Sequence, residues 1–277
     1  PVGGRIDIRM HPDGRRDAWI WSDAGRMYRD SFDPQKDMLG RTASGIPFVT
    51  HNQTPRISYY CNMAKQAMPC APPAALPVCH RLAYAQVPLV KPALDETAGV
   101  NAIIAVNAMG WNQEDALVFA QGAVDRGLFR SIEHKTYRTK VGSEPQSDML
   151  DRDGVVSEGI QLRENEPFAS TELGTSRIAQ RSAPMVTVDK VIIAPAEQMA
   201  TVTTVAMRTP EVGDKFVSRY GQKGVIGRIV PDEDMPFTAE GIRPDIIMNP
   251  HAFPSRMTVG QIMEMAGAKI NVIRGSS

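Results

Sequence analysis

Two runs of β-branched residues, separated by a four-residue gap, constrain the fold more than any other feature of this sequence. The first run is VTVDKVIIA at 186–194 and the second is MATVTTVAM at 199–207. Val, Ile and Thr favour strands, and the gap PAEQ is short enough to close a hairpin. The two runs therefore predict an antiparallel strand pair within a strand-rich α+β chain.

Shorter patterns predict the remaining elements. Apolar runs bounded by turn residues predict further strands at 6–10, 18–21, 101–109 and 245–248. Helical spacing predicts helices at 56–68, 114–129 and 258–270, the last with Thr258 as its N-cap. The Pro-rich segment 69–77 is expected to be extended or looped, and the polar segment 138–176 is expected to be an irregular surface excursion.

Composition limits the classes of function that are open to the chain. The 277 residues are 42% hydrophobic, and 31 Lys and Arg balance 31 Asp and Glu, so a polyanion site would have to be built from local residues. The apolar runs are too short to span a bilayer, and the N-terminal residues lack the apolar core of a secretory signal. Three cysteines suggest an intracellular, reducing compartment. Zinc binding by Cys61, Cys70 and Cys79 is left open, although short C-x₂-C pairs are missing.

The stretch GDKFVSRYGQKG at 213–224 places three cations, Lys215, Arg219 and Lys223, among three glycines. The glycines argue against a helix here, so a loop or a strand edge is expected. Glycine lets the backbone approach a ligand closely while lysine side chains reach phosphates. The alternative is an ordinary solvated turn with surface charges.

Two further stretches suggest anion and metal chemistry. Ser255 and Arg256 immediately precede the predicted helix at 258–270, where a helix N-terminus and a guanidinium would both attract phosphate. Adjacent Glu114 and Asp115 could hold a divalent cation that also carries phosphates. The alternatives are an incidental arginine at a helix start, and acids that merely suit the dipole of the helix predicted at 114–129.

The stretch HNQTPRISYYCNMAKQ at 51–66 suggests a nucleic-acid contact surface. Arg56 and Lys65 flank Tyr59, and amides stand nearby at Asn52, Gln53 and Gln66. Cations, amides and an aromatic ring suit a sugar–phosphate backbone, although a solvated helix is the simpler alternative. Together the four stretches suit phosphoryl or nucleotidyl transfer, which needs positioning and charge neutralisation rather than a covalent nucleophile.

Several of these blocks, read in order, resemble the second-largest subunit of multisubunit DNA-directed RNA polymerases. The matching blocks are HNQTPR, MAKQAM, GWNQEDALVF, VDRGLFRS, GDKFVSRYGQKGVIG and VPDEDMPFTAEGIRPDIIMNPHAFPSRMTVGQ. The wording is closer to the archaeal, eukaryotic and large-DNA-virus branch than to the bacterial one. The resemblance implies the hybrid-binding region, with a double-psi β-barrel and a compact wall or flap. It also implies a division into the end of an external region at 1–30, barrel segments at 31–130 and 187–277, and the wall at 131–186.

The resemblance also implies roles for individual residues and partners. Lys215 and Lys223 would lie against the RNA 3′ end, and Arg56 and Arg256 against the nucleotide triphosphate. Glu114 and Asp115 would help to hold a second Mg²⁺, whereas the largest subunit would hold the main catalytic Mg²⁺. The RNA–DNA hybrid would be lined by Gln53, Tyr59, Lys65 and Gln66. The expected partners are the largest and other polymerase subunits, template DNA, the RNA–DNA hybrid and nucleoside triphosphates, without a membrane, in the nucleus or cytoplasm.

Departures from the family pattern are informative. Tyr220 stands where the family usually has histidine, and Trp111 where it usually has tyrosine, which suggests a divergent and viral lineage that would act in a viral factory. Arg219 receives no firmer role than support. The lobe, the clamp and the N-A-D-F-D-G-D motif of the largest subunit are not found in these residues, so a fragment that is inactive in isolation is expected. The alternatives are a non-catalytic nucleic-acid-binding module and a structural remnant of such a subunit.

Overall fold

The fold is taken from a computed structural model of the chain. It describes residues 5–10, 16–21, 27–31, 39–69, 77–92, 99–142, 145, 147–178 and 185–275. Cys70, most of the Pro-rich segment and parts of the proposed external region lie outside these ranges. At the N-terminus, β1 (Arg5–Met10), β2 (Arg16–Trp21) and β3 (Met27–Ser31) form an antiparallel sheet in that order, which confirms the two strands predicted there.

The remaining elements build two larger sheets and the helices beside them. The helices are α1 (Arg41–Ser44), α2 (Thr54–Ala64), α3 (Gln121–Asp125), α4 (Ala252–Arg256) and α5 (Val259–Arg274). The strands up to the middle of the chain are β4 (Val78–Leu82), β5 (Ile104–Val106), β6 (Ala116–Ala120), β7 (Ser131–Lys140), β8 (Gln161–Arg163) and β9 (Pro167–Thr171). The later strands are β10 (Gly174–Arg177), β11 (Met185–Ala194), β12 (Met199–Arg208), β13 (Lys215–Val217), β14 (Lys223–Val230) and β15 (Ile246–Met248).

The first large sheet has the order β4-β7-β12-β11-β8 and contains the predicted hairpin, which is confirmed. β11 and β12 pair antiparallel from Ala194↔Met199 outward, with a bulge after Val188. Alternate residues such as Val186, Val188, Ala200 and Val202 are buried in its core. The inward face of this hairpin therefore follows the period-two pattern of the sequence.

The segment expected to be an irregular excursion is more ordered than its composition suggests. It contains β8 and the hairpin of β9 and β10, and its residues Leu162 and Phe168 are buried in the same core as β11 and β12. A few well-placed apolar residues therefore fold a mostly polar stretch. The proposed boundary at residues 186 and 187 lies within β11, and the division into domains stays a prediction.

The second large sheet has the order β13-β14-β6-β15-β5 and mixes parallel and antiparallel pairs. β6 lies between β14, which runs parallel to it, and β15, which runs antiparallel. Val118 and Phe119 are fully buried, so apolar contacts surround this strand on both faces. The helix predicted at 114–129 is therefore wrong for its first half. Only α3, at 121–125, is helical, because pairing on both edges overrides the helical pattern.

The other predicted elements differ mainly in length. β5 covers three residues of the strand predicted at 101–109, because only those pair with β15. α2 ends at Ala64, several residues before Pro69, and the chain continues in turns with bonds to carbonyls three residues back, such as Ala67 N–H to Ala64. The long helix α5 is confirmed with Thr258 at the N-cap position, but the Thr258 hydroxyl does not cap the helix.

The predicted double-psi β-barrel stays a prediction. The structure supports a strand-rich α+β chain with antiparallel and mixed sheets, but β13 and β5 do not pair with each other among the described strands. No helix in the described ranges is both long and apolar enough to cross a membrane.

Candidate functional site

The hairpin of β13 and β14 presents two cations on one face. Lys215 pairs with Val225, and Val217 pairs with Lys223. Cross-strand partners share a face, as do residues two apart on one strand, so Lys215 and Lys223 project from the same side. Phe216 faces the opposite side, where its ring lies 5.1 Å from that of Phe119. The hairpin is thus anchored by an aromatic core behind it, and the expected loop or strand edge is confirmed.

The loop of this hairpin, Ser218 to Gln222, packs closely against α2. Gly221 has φ +71, and a Cβ there would lie 2.5 Å from the carbonyl oxygen of Arg56. Both the left-handed backbone and the close approach therefore require glycine. The Arg56 guanidinium donates to the Gly221 carbonyl at 3.4 Å and lies 5.3 Å from the Tyr59 ring.

Two residues of the same loop are structural. Arg219 forms an ion pair with Glu264 on α5 and donates to the Val90 carbonyl, so it holds the loop against these two segments. Tyr220 is 1% exposed and packs with Ile46 and Tyr60. The aromatic ring at this position therefore belongs to a small core that holds the loop against α2.

The carboxylates of Glu114 and Asp115 stand on an unusual backbone. Both residues have left-handed dihedrals, with φ 46 and φ 70 respectively. The loop that precedes them is held by buried Asn112, whose amide donates to the Asn107 carbonyl at 2.7 Å and accepts from the Met109 N–H at 2.8 Å. Such strain, roughly 1 to 3 kcal/mol per residue, persists only where the surroundings enforce it. The dipole alternative for these acids is wrong, since a strand and not a helix follows them.

Arg256 joins this turn to the hairpin. It does not precede a helix directly, as the sequence suggested, but closes the short helix α4 before the left-handed residue Met257. One terminal nitrogen of its guanidinium bonds the Asp115 carboxylate at 2.5 Å, and the other bonds the Gln222 side-chain oxygen at 2.6 Å. The Arg256 side chain is only 19% exposed and that of Asp115 is 40% exposed. The guanidinium is therefore held at the edge of solvent.

These groups surround one cleft with a volume of about 310 Å³. Its lining brings together four sequence-predicted residues, which are Glu114, Asp115, Lys223 and Arg256. Two carboxylates supply hard oxygen ligands that suit Mg²⁺, which proteins often hold by one or two carboxylates plus substrate phosphates. The two cations beside them suit the phosphates themselves.

The other predicted residues lie outside the lining of this cleft. Arg56 and Tyr59 are on the first turns of α2, next to the hairpin loop, and Gln53 occupies the N-cap position of that helix without capping it. Lys65 and Gln66 are exposed at the other end, about 14 Å along the helix axis from Arg56. The α2 residues therefore form an elongated surface rather than part of a compact pocket.

The cysteine and metal predictions have a limited outcome. Cys79 is buried and Cys61 partly buried, and both are free thiols. Burial raises the pKa of the Cys61 thiol, and the charge of Lys65 partly offsets that effect. Within the described ranges, no group of three or more His, Cys, Asp or Glu residues could hold a metal ion. Zinc binding that involves Cys70 stays open.

Sequence reasoning missed the buried amides Gln222 and Asn112, and it assigned Thr258 only as the N-cap of a helix. Gln222, Thr258 and Asn112 are buried and hydrogen-bonded, but none carries a charge that would attract notice. The useful sign was available in the blocks themselves, since Gln222 lies between the two glycines of YGQKG and Thr258 follows SRM.

Comparison with known proteins adds the family context. The sequence profile of the family described as RNA polymerase Rpb2, domain 6 matches residues 42–277. The chain is 37% identical over 292 aligned residues to DNA-directed RNA polymerase subunit Rpo2 of Saccharolobus solfataricus, covering 86% of this chain and 26% of the relative. It is 37% identical to subunit RPB2 of RNA polymerase II from Encephalitozoon cuniculi and 34% identical to subunit RPC2 of RNA polymerase III from Schizosaccharomyces pombe. Each of these two alignments covers 86% of this chain and 25% of the length of the relative. The chain thus spans about a quarter of the length of these relatives.

Proposed function

The chain belongs to the RNA polymerase Rpb2 domain 6 family, and from this premise we propose that it forms part of the active centre of a DNA-directed RNA polymerase. The proposed reaction is template-directed nucleotidyl transfer, to which this chain contributes one wall. The observation that carries the proposal is the convergence of Glu114, Asp115, Lys223 and Arg256 on a single cleft. The similarity to RNA polymerase subunits Rpo2 and RPB2 supports the polymerase context.

The groups of the cleft match the needs of a metal–triphosphate substrate. Glu114 and Asp115 would hold a second Mg²⁺, which would neutralise charge on the transferring phosphates. Arg256 would bind triphosphate oxygens through its planar fork of donors, joined by Arg56 on α2. Two further sets of contacts belong to the same proposal. Lys215 and Lys223 would contact RNA, and side chains on α2 or beside its ends would contact the RNA–DNA hybrid, namely Gln53, Tyr59, Lys65 and Gln66.

The alternative functions differ in what they need from the carboxylates. A plain nucleic-acid-binding module would use the cations, but two acids beside the phosphate path would repel it. Asp115 is instead within 2.5 Å of Arg256, on strained, left-handed backbone. This arrangement favours a catalytic site over a simple binding surface, and it gives a structural remnant little reason to keep the strain.

The decisive experiment is Arg256→Ala in the polymerase assembled with its largest subunit. We expect kcat/KM for the nucleotide to fall by roughly 10- to 100-fold, because the substitution removes charge neutralisation of the triphosphate. Arg256→Lys keeps one charge without the bidentate fork and should give a smaller defect. Single-nucleotide addition on a preformed scaffold, measured as a function of nucleotide concentration, separates KM from kcat.

Arg274→Ala supplies a matched control, because Arg274 is an exposed arginine at the far end of α5. It should leave nucleotide addition unchanged. Unchanged addition by Arg256→Ala, in a complex that assembles normally, would reject the triphosphate role and favour the non-catalytic module.

A further inference from the structure

Gln222 is a buried amide with a partner for each end of its side chain. It is 6% exposed and lies in the hairpin loop that faces the cleft. Its Nε2 donates to the Thr258 hydroxyl at 2.8 Å and to the Ala252 carbonyl at 3.1 Å. Its Oε1 accepts from the Arg256 guanidinium at 2.6 Å. One neutral side chain therefore links the start of α4, the start of α5 and the arginine between them.

We propose that Gln222 is a positioning residue that holds the Arg256 guanidinium toward the cleft while nucleotide binds. The inference rests on the proposed function of Arg256. It adds that the orientation of the Arg256 guanidinium depends on the Gln222 amide rather than on Asp115, the other side chain that Arg256 bonds.

The argument starts from competition for Asp115. If the carboxylate binds a divalent cation, its ion pair with Arg256 weakens, because the metal takes up the same negative charge. The hydrogen bond that Arg256 donates to Gln222 is not subject to this competition, since the amide oxygen is neutral and is not a proposed metal ligand. Of Asp115 and Gln222, the two side chains that Arg256 bonds, Gln222 is the one that can persist when metal and triphosphate arrive.

The direction of the amide is fixed by its surroundings. The Ala252 carbonyl can only accept a hydrogen bond and the Arg256 guanidinium can only donate one, so Nε2 must face the former and Oε1 the latter. Thr258, which is 1% exposed, adds a second contact to Nε2 at the junction with α5. An amide locked in this way restricts the arginine to one approach, and small displacements of such a group lower reaction rates strongly.

The test replaces Gln222 by a side chain of similar length that lacks both amide functions. In the assembled polymerase, Gln222→Met should lower kcat/KM for the nucleotide roughly tenfold, the loss expected for one charge-assisted hydrogen bond. Gln261→Met is the matched control, because Gln261 is also buried, at 4% exposure, and bonds Ser218 rather than Arg256. A purely structural effect would lower both the melting temperature and kcat/KM, and it would do so to the same extent in the two variants.

A double-mutant cycle separates positioning from a general effect on the fold. Combined with Arg256→Ala, Gln222→Met should cause no further loss in kcat/KM, because the group that it positions is already absent. Full kinetic activity of Gln222→Met beside a defective Arg256→Ala would overturn this inference alone. Normal activity of Arg256→Ala would overturn the proposed function and this inference with it.

A second variant keeps the test available if Gln222→Met fails to assemble. Thr258→Val removes the hydroxyl that Nε2 contacts and leaves Gln222 in place, so a smaller fall in kcat/KM is expected. Kinetics identical to the unsubstituted polymerase, in a complex of normal stability, would count against a role for the locked amide.

Discussion

At the scale of single residues, Asp115 would be shared between Arg256 and the proposed metal ion. It forms an ion pair with Arg256 and is at the same time one of two carboxylates facing the cleft. A carboxylate that must exchange an arginine for a metal binds that metal less tightly than a free carboxylate would. The proposed metal site should therefore respond measurably to the Mg²⁺ concentration.

Asp115→Asn should raise the Mg²⁺ concentration needed for half-maximal nucleotide addition, by about tenfold for the loss of one ligand. The defect should be partly relieved when Mg²⁺ is raised, and a Mg²⁺ titration of the addition rate measures it. Asp153→Asn, which removes an exposed carboxylate outside the cleft, is the control. A defect that does not change with Mg²⁺ would assign Asp115 to holding Arg256 alone.

Tyr220 predicts an alkaline loss of stability. Burial raises the pKa of its phenol well above the ordinary value of 10.0, and the Glu264 carboxylate raises it further. Burial also raises the pKa of Tyr60. Above about pH 10 the unfolded chain releases these protons while the folded chain keeps them. The unfolded state then binds fewer protons, so the free energy of unfolding falls as the pH rises.

Tyr220→Phe should flatten this fall by up to about 1.4 kcal/mol per pH unit, which is the contribution of one proton. Urea unfolding of the chain at a series of pH values from about 9 to 11 gives the slope. Tyr84→Phe, at a tyrosine that is 52% exposed, is the matched substitution. Equal slopes for the unsubstituted chain and Tyr220→Phe would contradict the assignment.

Sequence reasoning reached the charged residues of the site and stopped there. Glu114, Asp115, Lys223 and Arg256 were found because each carries a charge within a recognisable block. Gln222 and Asn112 were missed because the importance of an amide lies in which atoms it faces. The partners of Gln222 lie in one distant segment, 252–258, and those of Asn112 are backbone groups of the loop just before it.

At the scale of elements, the β13–β14 hairpin combines an apolar back with a cationic front. Phe216 packs on Phe119 and Phe129, with ring centroids 5.1 Å and 4.7 Å away. Lys215 and Lys223 are exposed on the other side. Because the aromatic contacts fix the hairpin, the two lysines can be replaced with little effect on its fold.

Lys215→Ala and Lys223→Ala should each weaken retention of an RNA–DNA hybrid by the assembled polymerase. Each should also lower the slope of log affinity against log salt concentration by about one, which is the signature of one lost phosphate contact. Hybrid dissociation measured across a range of salt concentrations tests both. Lys190→Ala, at an exposed lysine on β11, serves as the comparison. Slopes that match the unsubstituted polymerase would remove the lysines from the phosphate path.

Elements were predictable where the pattern and the environment agree. The β11–β12 hairpin was correct almost to the residue, since its β-branched alternation matches one buried and one open face. The helix predicted at 114–129 is wrong at residues 116–120, which form β6. Partner strands on both sides bury β6, so its sequence lacks the alternation that identifies a strand. The short polar strands β8 to β10 were missed for lack of any strong period.

At the scale of the whole molecule, the proposed active centre is incomplete. The cleft offers two carboxylates, and within the described ranges no cluster of three potential metal ligands is present. In the proposed function, the main catalytic Mg²⁺ is held by a different subunit. In that proposal this chain would supply positioning and charge, which act only in a complex.

The isolated 277-residue chain should therefore show no template-directed RNA synthesis. Incubation of the purified chain with a primed template, Mg²⁺ and nucleoside triphosphates should yield no extended product, while the assembled polymerase extends the same primer. Extension by the isolated chain, at a rate that scales with its concentration and is lost in Arg256→Ala, would refute the shared active centre.

The pairing of β7 with β12 has a consequence for how the chain is made. Lys140 pairs with Met199 and Ser131 with Arg208, so the partners are 59 to 77 positions apart. At typical rates of synthesis, β7 leaves the ribosome roughly 3 to 15 s before its partner is made. During that interval only β4 can cover one of its edges, and the other edge is open to any strand nearby. The newborn chain therefore has a period in which this edge can pair with a strand of another chain, which is a route to aggregation.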